Sequence, residues 1–127
     1  MPKIPELVAS YIASQPEEIR PALLEIHAMF AKAYPKAKVE MYSTAKGEVP
    51  IYKDGETWLG GFSVRSKGPM VYMIDPQLVA KYKPQLGSLA APGNAACVTY
   101  KPTKTLDAAA LHGLFEQMLA EAAAKRK

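Results

Sequence analysis

The chain has 127 residues, 49% hydrophobic and 22% charged, and its sixteen Lys and Arg outweigh twelve Asp and Glu to give a net charge of +4. This length fits one unit over residues 1–127 that buries roughly two-thirds of its unfolded-chain surface, and the apolar content excludes a disordered chain. No apolar run approaches the ~18 residues of a membrane span, and Met1-Pro2-Lys3-Ile4-Pro5-Glu6 carries no signal-peptide core, so a cytoplasmic protein is expected.

Residues 5–14 read as a short helix, with Leu7 or Val8, Tyr11 and Ile12 at helical spacing and Pro5 near a first-turn position. Pro16-Glu17-Glu18 opens a second helix, whose stripe of Ile19, Leu23, Ile26, Phe30 and Ala33 runs to Pro35. The period then changes. Val39 and Met41 alternate with polar neighbours as in a strand, Gly47 interrupts, and Val49-Pro50-Ile51-Tyr52 resumes extended structure. Asp54-Gly55 marks a tight hairpin turn, because glycine accepts the positive φ such a turn requires.

Thr57 to Ser66 reads as a long strand, and Met70 to Ile74 as another after a turn at 66–69. Asp75-Pro76 supplies an N-cap and an N1 proline for a short helix that should end before Pro84. A loop over 87–94, a strand over 96–100 and a closing helix from Thr105 or Asp107 to about Lys125 complete the chain. Consecutive strands joined by tight turns pair antiparallel. The expected fold is α+β: an antiparallel meander of about five strands, covered by the N-terminal and C-terminal helices.

In this order, the chain resembles the YdhG-like bacterial family, a family of unknown function. The resemblance rests on Tyr11-Ile12-Ala13-Ser14-Gln15-Pro16-Glu17-Glu18-Ile19-Arg20-Pro21, on Val49-Pro50-Ile51-Tyr52-Lys53-Asp54-Gly55, on Phe62 through Tyr72 and on Cys97-Val98-Thr99-Tyr100-Lys101. It implies the same α+β fold. Some members are described as frataxin-type iron chaperones for iron–sulfur cluster assembly, so the resemblance also implies iron as a cargo. The chain departs from the family pattern at polar positions: Gly68 stands where a histidine is expected, and Ala95 and Thr99 where basic residues are.

The chemistry-bearing residues are few. His27 and His112 each lie beside an apolar helical stripe, where a histidine is usually a boundary residue, and Glu17, Glu18 and Glu25 make a thin acidic face. No metal ligand set and no cofactor is assigned. Cys97, the single cysteine, excludes an internal disulfide and shares a strand face with Thr99. No nucleophile elbow, phosphate loop or zinc-protease motif occurs, so no catalytic residue is named and an enzyme is disfavoured.

Nucleic acid is disfavoured too. Lys125-Arg126-Lys127 supply three of the four net charges, as suits a helix C-terminus. What remains is a stretch over 76–106 with Lys81, Lys83, Lys101 and Lys104 and no carboxylate. The aromatic residues carry the remaining signal. Tyr42, Tyr52, Trp58, Phe62 and Tyr72, with Arg65, fall on predicted strands around Gly60-Gly61, a pair that marks a bulge or a close backbone approach. They are the candidate ligand-binding residues, for a small molecule or a protein partner. The sequence specifies no oligomeric state.

Overall fold

The computed structural model describes residues 5–44, 47–65, 68–73, 75–90, 96–104 and 106–125. Helices α1 (Glu6–Ala13) and α2 (Arg20–Ala33) precede strands β1 (Lys38–Thr44), β2 (Gly47–Asp54), β3 (Thr57–Arg65) and β4 (Gly68–Tyr72). Helix α3 (Pro76–Leu86), strand β5 (Cys97–Thr99) and helix α4 (Ala108–Lys125) follow. The five strands lie in chain order, β1-β2-β3-β4-β5, each antiparallel to the next. This is the α+β meander with helices from both ends of the chain.

Local chemistry explains the boundaries. Glu17–Ile19 form a 3₁₀ turn that leads into α2, so Pro21 falls in the first turn, where its missing N–H costs no helical bond. Asp75 caps α3 by accepting the N–H of Gln77 at 3.0 Å, and Asp107 caps α4 by accepting that of Ala110 at 2.9 Å. The β2–β3 turn is the two residues Gly55-Glu56, with Gly55 at φ +62°. The other proposed cap, Thr105, lies outside the described residues, as do the turn residues Ser66 and Lys67.

Two expectations are corrected. Helix α3 does not stop before Pro84 but runs to Leu86. Leu86 is buried with Leu78, Val79 and Tyr82, while Pro84 and Ala80 are exposed. The helical bond that Pro84 cannot make would have gone to the solvent-side Ala80 carbonyl, and burying Leu86 offsets its loss. The lysine stretch is not without an acid either: Lys81 reaches Glu121 on α4 at 2.7 Å. The pairing is tertiary, across α3 and α4, and so invisible in a local charge count.

One face of the sheet meets the helices. Tyr52, Phe62, Val71, Met73 and Val98 are each at most 2% exposed there, packed with Val8, Leu23, Phe30, Phe115 and Met118. Phe30 of α2 stacks on Tyr52, ring centres 4.4 Å apart and 13° from parallel. Tyr11 of α1 meets Phe62 edge-on at 5.8 Å. Gly60 permits this packing, because a Cβ at 60 would stand 2.5 Å from Phe30 Cε1 and 2.8 Å from the Tyr72 carbonyl oxygen. The predicted close approach at the paired glycines is therefore made by the protein's own Phe30.

Candidate functional site: the helix-free face of the sheet

The register assigns each strand residue to a face. Ile51 lies opposite Gly61, Gly61 opposite Tyr72, and Tyr72 opposite Cys97; Tyr42 lies opposite Val49, Ser63 opposite Met70, and Trp58 opposite Lys53. These residues share the face away from the helices. The ladder slips between Tyr52 and Lys53, where β3 inserts one extra residue, Leu59. Trp58 and Phe62, four residues apart, would share a face by simple alternation. The bulge sends Trp58 to the open face and Phe62 beneath the helices.

Of the six predicted residues, four border one cavity: Tyr42, Trp58, Tyr72 and, though its ring lies in the core, Phe62. Tyr42 and Trp58 meet edge to face, ring centres 4.8 Å apart at 75°, and with Tyr72 they border this cavity of about 230 Å³. Tyr42 is 46% exposed and Tyr72 36%, whereas Ile51 and Ser63 are buried in its floor. Tyr52 and Phe62 are not solvent-facing: both are 2% exposed, with their rings in the helix-covered core. Arg65 ends β3 opposite Gly68; its side chain lies outside the described residues. The residues that sequence reasoning missed are Val49, Pro50, Ile51, Ser63, Met70 and Cys97. Parity with Tyr72 across β4–β5 was the signal for Cys97, and it needed the register.

The cavity has a backbone cause. Pairing of β2 with β3 stops at Ile51–Gly61, although β1–β2 continues to Thr44–Gly47 and β3–β4 to Arg65–Gly68. The next residue of β2 is Pro50, which has no N–H to give to β3. Beyond it the two hairpins part as a fork. On the helix side, the Tyr11 hydroxyl enters the fork and accepts the Val64 N–H at 3.1 Å. On the open side, the cavity occupies the fork, and Gly61 keeps its floor low. A Cβ at 61 would come within 2.7 Å of the Pro50 carbonyl oxygen and 3.1 Å of Ile51 Cγ2.

None of the described lining side chains is charged. The nearest ion pair on this face, Lys53 with Glu40 at 2.9 Å, is internally matched. The hydrogen bond to Glu40 raises the Lys53 ammonium above its ordinary range. The polar side-chain groups of the lining residues are the Ser63 hydroxyl, the Cys97 thiol, the Trp58 indole N–H and the hydroxyls of Tyr42 and Tyr72.

Each histidine is held by a tyrosine. His27 Nδ1 and the Tyr52 hydroxyl share a hydrogen bond of 2.7 Å. Burial lowers the His27 pKa and raises that of Tyr52. His112 Nδ1 shares a 3.3 Å bond with the Tyr100 hydroxyl, and Glu25 and Glu116 approach the same ring at 3.7 Å and 3.5 Å. Burial first, then those two carboxylates, push Tyr100 up to about 12. Among the described residues no three His, Cys, Asp or Glu side chains converge as a metal-ligand group. A larger groove, about 550 Å³, lies between α2 and α4. It is lined by Met29, four alanines, Lys32, Glu116 and Gln117, and Lys32 and Glu116 pair with each other at 3.3 Å.

Fold and site together define an α+β fold with helices on one face of a five-stranded meander and an aromatic cleft on the other. The fold is YdhG-like. It superposes with a TM-score of 0.61 on a solved Bacillus subtilis protein of the DUF1801 family, YdhG, at 16% sequence identity, over 91% of this chain and 86% of that one. That likeness is one of fold. Comparison with family models and with curated proteins gives no match. No helix among the described residues is long and apolar enough to cross a membrane.

Proposed function

We propose that the chain is a cytoplasmic, non-enzymatic binding module that takes a small uncharged ring compound on the open face of its sheet. The observation that carries this reading is the Tyr42–Trp58 edge-to-face pair beside an apolar cavity at the β2–β3 fork. Ligand sites are concave and mostly apolar, with a few placed polar groups. At about 230 Å³ this one lies below the ~300–1,000 Å³ of pockets for drug-sized ligands, which matches one or two fused rings. The described lining offers no counter-charge, so an ionised ligand would lose hydration without recovering it. Ser63 and the two tyrosine hydroxyls remain to orient a neutral polar substituent.

The test is a thermal-shift screen of neutral one- and two-ring compounds beside their carboxylated and aminated analogues. Neutral compounds should raise Tm, and Tyr42→Ala and Tyr72→Ala should each abolish the shift while Arg65→Ala preserves it. Hits confined to carboxylated analogues and lost in Arg65→Ala would overturn the uncharged-ligand reading. Hits indifferent to both tyrosine substitutions would overturn the site.

A further inference from the structure

Strand β1 ends the sheet, and half of its backbone polar groups point away from it. The Tyr100 N–H donates to the Pro69 carbonyl at 2.7 Å, so Pro69 faces β5, and Val64, opposite it, faces β2. Followed through the register, Pro50 turns toward β3. Met41, opposite Pro50, then directs its N–H and C=O outward, with Val39 and Ser43 in the same phase. Among the described residues these outward groups have no hydrogen-bond partner.

The other edge is closed. Strand β5 is three residues long, and Ala90 bridges to Val98 on its outer side. Exposed edges are usually blunted by proline, a bulge, shortness or charged side chains. Of these β1 has only charge, at Lys38 and Glu40, and Glu40 is already paired with Lys53 of β2; the strand keeps unbroken register with β2 over seven residues.

We propose that β1 is a self-association edge, on which a second copy of this chain pairs antiparallel about a dyad at Met41. In that register Met41 meets its own counterpart and Val39 meets Ser43, so outward-facing residues oppose outward-facing residues throughout. Glu40 lies opposite Tyr42 and Lys38 opposite Thr44, and no like charges meet. Sliding by two residues one way sets Glu40 against Glu40, which is unfavourable. The opposite slide leaves Lys38 and Val39 unpaired. The dyad stands perpendicular to the sheet, so the two open faces join side by side, with both Tyr42–Trp58 pairs on one surface. A lone strand pair covers less than the ~1,200 Å² of a stable interface, so the dimer is weak and forms at high concentration.

Cysteine trapping tests the register. Residues in a hydrogen-bonded antiparallel pair have Cα atoms about 5.5 Å apart, inside the roughly 4.4–6.8 Å range of disulfides. With Cys97→Ser as background, Met41→Cys should form a disulfide-linked dimer on mild oxidation at high concentration, and Ser43→Cys should not. In sedimentation velocity the unaltered chain should associate with rising concentration. Met41→Pro, which removes only an outward donor, should abolish association with an unchanged circular dichroism spectrum, and Met41→Lys should do the same. A chain monomeric at every concentration, equal trapping of both cysteine variants, or association that survives both Met41 substitutions would overturn the proposal.

Discussion

The Tyr11 hydroxyl accepts the Val64 N–H at 3.1 Å, a bond between residues 53 positions apart that closes the β2–β3 fork from the helix side. Without it, a half-buried amide would face a gap where the ladder has ended. Tyr11→Phe keeps the edge contact with the Phe62 ring but strands that donor. The expected loss is about 1–3 kcal/mol, read by urea denaturation. Faster hydrogen exchange at the Val64 amide should accompany it, with core amides of β4 slowed or quickened only in proportion to global stability.

Gly60 is the second test of the packing. Its φ of +148° and the 2.5 Å approach of Phe30 to a built Cβ leave no room for a side chain. Gly60→Ala must displace Phe30 or part β3 from β4, at a cost of about 1–3 kcal/mol for overpacking. A Tm within one degree of the unaltered chain would show that Phe30 is not held against the sheet.

The His27–Tyr52 pair makes stability depend on pH. Burial holds the folded-state His27 pKa below its ordinary 6.5, so the unfolded chain takes up the proton first. The contribution of neutral His27 is complete above pH 6.5 and is lost as pH falls from there toward the folded-state value. Urea midpoints measured from pH 7.5 down to 5 should decline. In His27→Gln, which is less stable at pH 7.5, the part of that decline starting near 6.5 should vanish. An identical pH profile in both proteins would contradict this assignment.

Much of the fold was legible in the sequence. Periodicity located α1, α2 and α4, the Asp75-Pro76 cap located the start of α3, and Asp54-Gly55 and the change of period after Pro35 located the turn and the entry to the sheet. The division of the aromatic residues between faces was not legible. Tyr42, Tyr52, Trp58, Phe62 and Tyr72 differ by even numbers, so plain alternation cannot separate them within a strand. Their separation comes from strand pairing and from the extra residue at the bulge, both set by tertiary contacts. The cavity was hidden for a related reason. Pro50 reads as an ordinary strand-edge proline until its missing donor is seen to fall on the β3 side.

The most direct test of the open face uses Trp58, the single tryptophan. Its emission should be followed while a neutral ring compound from the thermal-shift screen is titrated in. A saturable change in Trp58 emission, lost in Tyr42→Ala and in Tyr72→Ala, is the predicted result. A ligand that raises Tm while leaving Trp58 emission unchanged would contradict the account, because it would be bound away from the β2–β3 fork.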